Sequence, residues 1–328
     1  MEQRPFTRLG RDASVIGLGC WQLGADWGAV DDDGAMRILH AAADAGVTFF
    51  DTADVYGDGR SERFVGRLLR ERAGEGLFVA TKTGRRARAQ VDAEYTEANL
   101  RAWIDRSLMN LGVDRLDLVQ WHCPPTDTIA RESMYVLFDT LVQEGRIAGY
   151  GVSVETVKQA RMAIAHPGIA SLQIIANAFR LKPFDTVIPE AAAAGVGVII
   201  RVPLASGLLA AKFDASTIFG ADDHRNYNRE GAAFDVGETF SGVPYDVGVA
   251  AARELAGFAP EGVSAAQAAL RWIIDQPGVS TVIPGASSPA QATANAAVAR
   301  LAPTTPAYDE AVHRIYDRDI RAHVHDRW

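Results

Sequence analysis

The chain is poor in cysteine: Cys20 and Cys123 are the only two in 328 residues. Two thiols cannot build a disulfide framework, and neither stands at a zinc-ligand spacing from the seven histidines, so no structural metal is expected. Cys123 follows His122 directly, but catalytic Cys–His couples meet in space, and adjacency alone does not mark a nucleophile. Long hydrophobic runs are also missing. No stretch approaches the roughly 18 apolar residues of a membrane span, and the amino terminus MEQRPFTRLG has no apolar core of signal-peptide length. Both point to the cytoplasm. Positive charge is in deficit, with 33 Lys and Arg against 41 Asp and Glu for a formal charge of −8. That balance argues against a nucleic-acid surface and offers no polybasic segment to an anionic membrane. The one basic cluster, GRRARA at 84–89, is short and reads as a solvated loop.

What is present is a composition that is 48% hydrophobic and 23% charged, ample for a large core. Short apolar runs alternate with amphipathic stretches, the sign of repeated βα units around a parallel sheet. Strands are expected at SVIGLG (14–19), VTFFD (47–51), LFVATK (77–82), LDLVQWH (116–122), IAGYGVS (147–153), SLQIIAN (171–177), VGVIIRV (196–202) and VSTVIPG (279–285). Between them lie helical patterns such as DDDGAMRILHAAADAG, opened by capping aspartates and closed by Gly46, and TEANLRAWIDRSLMNLG, opened by Thr96 and closed by Gly112. The first 13 residues read as a hairpin. A polar, glycine-rich insertion over about 204–244 follows the seventh run, and in a compact domain such a segment is usually a functional loop. Eight strands fit a closed barrel or an open doubly wound sheet. The open sheet would need a Gly-x-Gly-x-x-Gly turn after its first strand, and GLGCWQLG has the wrong spacing. A single (β/α)8 TIM barrel over 1–328, with an N-terminal β-hairpin and a long insertion after strand 7, is the expected fold.

In such a barrel, chemistry collects at the carboxyl ends of the strands. The second run ends in Asp51 with Tyr56 on the following turn, the third in Lys82 and the fourth in His122. A carboxylate at the mouth of a buried strand needs a cation, and neighbouring strands about 4.8 Å apart bring Lys82 within its reach. If Lys82 also reaches Tyr56, its charge favours the phenolate and lowers the phenol's pKa toward the range of a general acid. The four residues then form a proton-donating site, with His122 as the orienting hydrogen-bond donor and Asp51 holding Lys82.

Through these residues the sequence resembles the aldo-keto reductases over nearly its whole length. FFDTADVYG is similar to the family's most specific signature, VATKTG to its lysine strand and LVQWHCPP to its histidine strand; EGRIAGYGVS, LQIIAN, RVPLASGLL and VIPGASSPAQATAN follow in order. The resemblance implies an enzyme that binds a nicotinamide dinucleotide, usually NADPH, without a Rossmann fold. Asp51, Tyr56, Lys82 and His122 would be its catalytic tetrad, transferring hydride to a small-molecule carbonyl or, in reverse, oxidising an alcohol without a metal. Ser153, Gln173 and Asn177 would hold the nicotinamide carboxamide. Pro203, Leu204, Ser206, Gly207 and Leu208 would follow the pyrophosphate, with Lys212 and Arg225. Gly285, Ser287, Gln291 and Asn295 would lie at the adenosine end.

The sequence departs from the family pattern at several points. Val154 follows Ser153 where relatives carry asparagine, and Arg201 stands where many place an aromatic ring on the nicotinamide. Ser287 and Ala294 replace a basic and an acidic residue, which weakens the implied preference for NADPH over NADH. Trp21, Trp27 and Trp121 would bring an aromatic wall to the substrate, whereas Phe219 and Phe240 either join it or pack the loops down. Two rival readings are a nucleotide-sensing subunit of the potassium-channel β type and a barrel isomerase or aldolase using Lys82 for a Schiff base. A lysine paired with aspartate is charged and a poor nucleophile, which disfavours the second.

Overall fold

The protein, a computed structural model describing residues 1–24 and 30–328, begins with the expected hairpin. Strands β1 (Gln3–Phe6) and β2 (Arg11–Ser14) pair antiparallel, with Gln3 opposite Ser14 and Phe6 opposite Arg11. Eight parallel strands follow in sequential order: β3 (Leu18–Gly19), β4 (Phe49–Asp51), β5 (Phe78–Thr83), β6 (Leu118–His122), β7 (Tyr150–Ser153), β8 (Ile169–Ile175), β9 (Gly197–Arg201) and β10 (Thr281–Val282). Bridges from Ile16 to Val282 and from Gly19 to Gly285 join the first strand to the last. The sheet therefore closes into a (β/α)8 barrel.

The closing strands are shorter than their apolar runs suggest. Ser14 belongs to the hairpin, so only Leu18–Gly19 of SVIGLG remains as barrel strand, and the seam with β10 is held by isolated bridges and by Gly17 N–H to Val282 O at 2.8 Å. Helices cover the outside. In α1 (Asp32–Asp44) the Asp31 side chain accepts from Gly34 N–H at 2.6 Å, and Gly46 turns the chain beyond its end with φ +94°. Thr96 caps a second helix, Glu97–Leu111, and Gly112 ends it in the left-handed region.

Strand alternation sorts the side chains into two compartments. Phe49, Phe78, Ala80, Leu118, Ile199 and Ile283 point inward and fill the lower barrel together with Phe6 and Ala13 of the hairpin, while Phe50, Val79, Val119 and Trp121 point outward to the helices. Phe6 packs edge-on to Phe78 at 5.4 Å and stacks on Phe49 at 5.7 Å, plugging the barrel floor. Gly197 makes that plug possible, because a Cβ there would stand 2.4 Å from the Phe6 ring. Above this apolar layer the inward positions turn polar, and there the site begins. The insertion after β9 forms short turns, Ala205–Ala210, His224–Tyr227, Val236–Glu238 and Phe240–Gly242, that lie over the mouth. Among the described residues, no helix is long and apolar enough to cross a membrane.

Candidate active site

Continuing the alternation upward, Asp51, Lys82, Gln120, His122, Ser153, Gln173 and Arg201 occupy the inward positions at the carboxyl ends of β4 to β9. All are buried. Lys82 Nζ donates to Asp51 Oδ1, to Thr52 O at 2.9 Å and to Tyr56 Oη at 3.3 Å, which spends its three protons. The second Asp51 oxygen accepts from Gln173 Nε2 at 2.8 Å and Gln120 Nε2 at 3.3 Å. Asp51 thus holds a lysine and two amides in place.

Tyr56 reaches this group from the turn after β4. Gly57 lets that turn lie against Gly24: its φ is +58°, and a Cβ on it would stand 2.2 Å from Gly24 O. This accounts for the tyrosine–glycine pair that ends FFDTADVYG. The half-buried Tyr56 ring stacks under Trp21 at 6.0 Å and meets His122 edge-on at 5.8 Å.

The charge states differ in part from expectation. Burial pushes the Tyr56 phenol up; Lys82 pulls it down but does not outweigh burial and the Asp51 carboxylate, so the net direction is above the ordinary value. The expected depression fails first because the phenol is buried, and then because Asp51 offsets the charge of Lys82. Burial lowers Lys82, yet attraction to Asp51 and Tyr56 overrides it and keeps the ammonium protonated. His122 is driven well below its ordinary value by burial, then by Arg85, Lys82 and Arg201, so it is a neutral imidazole. A neutral ring can donate from one nitrogen to an oxygen without competing for the phenol's proton.

Two cavities meet at Tyr56 and His122. A long cleft of about 250 Å³ runs from them past Gln173, Arg201, Pro203, Leu204, Ser206, Gly207 and Arg225 to Gly285, Ser287 and Gln291. Ser206 is fixed within it, donating to Glu238 O at 3.0 Å and accepting from Phe240 N–H at 3.1 Å. Arg225 is clamped on Asp223 at 2.5 to 3.1 Å. At the far end, Ser288 caps the helix Pro289–Ala297 and Ser287 bonds to Gln291. Asn295 donates to Gly285 O at 3.1 Å, bracing the turn. A wider cavity of about 620 Å³ opens on the other side, walled by Trp21, Phe234, Arg85, Glu155, Asp235 and Glu238.

Several expected site residues lie elsewhere. Trp121 alternates outward against Tyr135 and Phe138, because His122 and Gln120 take the inward positions of β6. Asn177 is spent on structure: its amide donates to Val202 O and Ser241 Oγ and its oxygen accepts from Phe179 N–H. Leu208 is buried in the core, Lys212 is exposed, and neither lines the cleft. Ser153 lies behind Gln173, 3.5 Å from its Oε1. Phe219 and Phe240 pack against each other and Tyr245, holding the insertion down. Trp27 lies outside the described residues.

The structure also brings in groups that the sequence does not single out. Gln120 sits two residues before His122, and a period-two reading of LVQWH places it on the same face. Arg85, in the cluster expected to be a solvated loop, is instead largely buried and donates to Glu238 at 2.5 Å. Glu238, Glu155 and Phe234 carry no local signal, since only the fold brings them to the mouth. Cys123, Glu155 and Glu238 form the one group among the described residues close enough to hold a metal ion. Glu238 there already faces two guanidinium groups.

Comparison with known proteins places the chain in a family. The aldo/keto reductase family model matches residues 15–314. The chain belongs to the aldo/keto reductase family. The aldo-keto reductase YhdN of Bacillus subtilis is 31% identical over 294 residues, covering 89% of this chain and 86% of that protein. A probable voltage-gated potassium channel subunit beta of Oryza sativa subsp. japonica is 27% identical over 311 residues, 90% of each chain. Among solved structures, the glycerol dehydrogenase from Gluconobacter oxydans superposes with a TM-score of 0.76 at 29% identity, over 97% of this chain and 96% of that one. An aldo-keto reductase from Klebsiella pneumoniae in complex with NADPH shares the fold, with a TM-score of 0.72 at 21% identity over 96% and 95% of the two chains. This aldo/keto reductase thus keeps the family's oxidoreductase fold over almost its full length.

Proposed function

We propose that this chain is a nicotinamide-dependent carbonyl reductase, or in reverse an alcohol dehydrogenase, with Tyr56 as its general acid and base. The observation that carries the reading is the chain of contacts Asp51–Lys82–Tyr56 beside a neutral His122, at the junction of two cavities. The long cleft fits a dinucleotide. Positive backbone φ at Val202, Ala205, Ser206 and Gly207 curls the chain along one wall, and a capped helix amino terminus of nine residues closes the far end. Gln173, Arg201, Pro203, Leu204, Ser206, Gly207 and Arg225 would hold the coenzyme's nicotinamide and pyrophosphate parts, and Gly285, Ser287 and Gln291 its adenosine part. Bound there, the coenzyme supplies the hydride.

The protein's own work is at the oxygen. The Tyr56 phenol, protonated at neutral pH, gives its proton to the carbonyl oxygen, and the ammonium of Lys82 stabilises the phenolate left behind. Asp51 and the two glutamine amides keep Lys82 from turning away. His122 donates a second hydrogen bond to the same oxygen and fixes its direction, while Trp21 shields the pair from water. In oxidation the phenolate takes the proton back from the alcohol.

Tryptophan fluorescence during titration with NADPH and NADH tests the cleft, because Trp21 stands at its mouth. Saturable quenching by at least one coenzyme is expected, and absence of binding by both contradicts the reading. The ratio of the two constants measures what Ser287 contributes to a 2′-phosphate without a positive charge. Similarity to the channel subunit supports a second reading, a nucleotide sensor acting on a protein partner. Coenzyme binding without turnover of any aldehyde, together with a stable heteromer, would favour it.

A further inference from the structure

The two cavities share one buried carboxylate. Glu238 lines both, and its oxygens face two cations: Arg85 Nη2 donates to Oε1 at 2.5 Å, and Arg201 Nη1 stands 3.5 Å from Oε2. Burial opposes its ionisation, but Arg85 and Arg201 outweigh burial and hold the carboxyl below its ordinary range. The two guanidinium groups share this one carboxylate. Arg85 also stands 3.5 Å from Glu155 Oε1, and Arg201 donates to Val154 O at 3.1 Å and Cys123 Sγ at 3.4 Å.

The outer cavity, where a substrate would lie beside Tyr56 and His122, therefore has an unusual balance. Arg85 is the one permanent cation among its described lining residues, against the carboxyl groups of Glu155, Asp235 and Glu238. Burial first, then the neighbouring Glu238, pushes Glu155 up to about 8, so it is a neutral carboxyl at pH 7 and leaves the masking of Arg85 to Glu238. Opposite these groups stand the rings of Trp21 and Phe234, 5.7 Å apart. An entering carboxylate or phosphate would have to displace Glu238 from Arg85.

We propose that Glu238 is an internal counter-ion that sets specificity: it masks Arg85 and Arg201, so the outer cavity accepts uncharged carbonyl compounds and rejects those bearing a carboxylate or phosphate. The inference rests on the reductase reading, but the masking can be measured without turnover.

The experiment compares the wild-type protein and Glu238→Gln, each with coenzyme bound, in two arms. In the first, propionate binding is followed by calorimetry; the wild type should bind it at least about tenfold more weakly than Glu238→Gln, in which the two guanidinium groups lose the carboxylate they share. In the second, the ratio of kcat/KM for glyceraldehyde to that for glyceraldehyde 3-phosphate should be high in the wild type and fall at least about tenfold in Glu238→Gln. Equal propionate affinity in the two proteins overturns the proposal, as does an unchanged substrate ratio. If the wild type binds coenzyme but reduces neither aldehyde, the reductase reading fails while the propionate arm still decides the masking. Should Glu238→Gln not fold, Arg85→Met decides instead: a masked Arg85 leaves the wild-type discrimination in place, whereas selective loss of the phosphorylated substrate or of propionate binding shows an open anion receptor and overturns the proposal.

Discussion

Lys82 carries the highest stake of any single residue here, because three separate demands meet on its ammonium group. It neutralises Asp51, supports the Tyr56 phenolate and bonds to Thr52 O, all at about 1% exposure. Replacing it with methionine leaves a buried carboxylate unpaired, an effect that costs about 3–5 kcal/mol in comparable cases. Lys82→Met should therefore lower the urea midpoint sharply, and the Asp51→Asn/Lys82→Met double variant should regain part of the loss. A double variant no more stable than the single one would show that Asp51 does not depend on Lys82. The histidines give a pH test of opposite origin. Burial holds His122 well below 6.5 and His224 at about 4, so both fold as neutral rings. A depressed folded pKa means stability is present above the unfolded value and is lost as pH falls through the folded one, at ~1.4 kcal/mol for each pH unit separating the two values. Denaturation midpoints should decline from pH 6.5 toward 4, and His122→Asn should make that decline shallower. An unchanged slope would mean that His122 titrates normally.

At the scale of elements, the barrel separates stability below from chemistry above. Phe6, from the hairpin, fills the floor on the far side of the apolar layer from Tyr56. Its truncation to alanine should cost about 3–5 kcal/mol, as for other buried phenylalanines. Phe6→Ala should leave kcat for a simple aldehyde within about twofold of the wild type at a temperature where both are folded. A large fall in kcat with little loss of stability would contradict that separation. The same division explains what is legible in the sequence. The hairpin, eight strands, capped helices and inward ends of β4, β5 and β6 follow from local periodicity and capping, and with them Asp51, Lys82 and His122. Trp121 is misplaced when a strand end is treated as one group, because a period of two sends alternate residues to opposite faces. The insertion after β9 is legible only as an insertion. Glu238 and Phe234 reach the mouth through contacts such as Ser206 Oγ to Glu238 O, which span more than 30 residues and leave no local pattern.

Taken as a whole, the molecule is a closed barrel whose polar upper layer is pinned from several strands, with one loop system supplying walls for both cavities. Its charge pattern is the least legible property. The direction of the Tyr56 shift depends on burial, on Lys82 and on the Asp51 charge that cancels Lys82, and only assembled geometry weighs the three. On the reductase reading, the polar layer delivers a proton from Tyr56 to a carbonyl oxygen while coenzyme binding rests on separate residues. The most direct measurement is the turnover of a simple aromatic aldehyde by wild type and Tyr56→Phe, with coenzyme dissociation constants measured on the same samples. Tyr56→Phe should show a kcat lower by a factor on the order of 10²–10⁴, the usual contribution of a general acid, with coenzyme affinity retained. Equal turnover by the two proteins would place the proton donor elsewhere and contradict that reading.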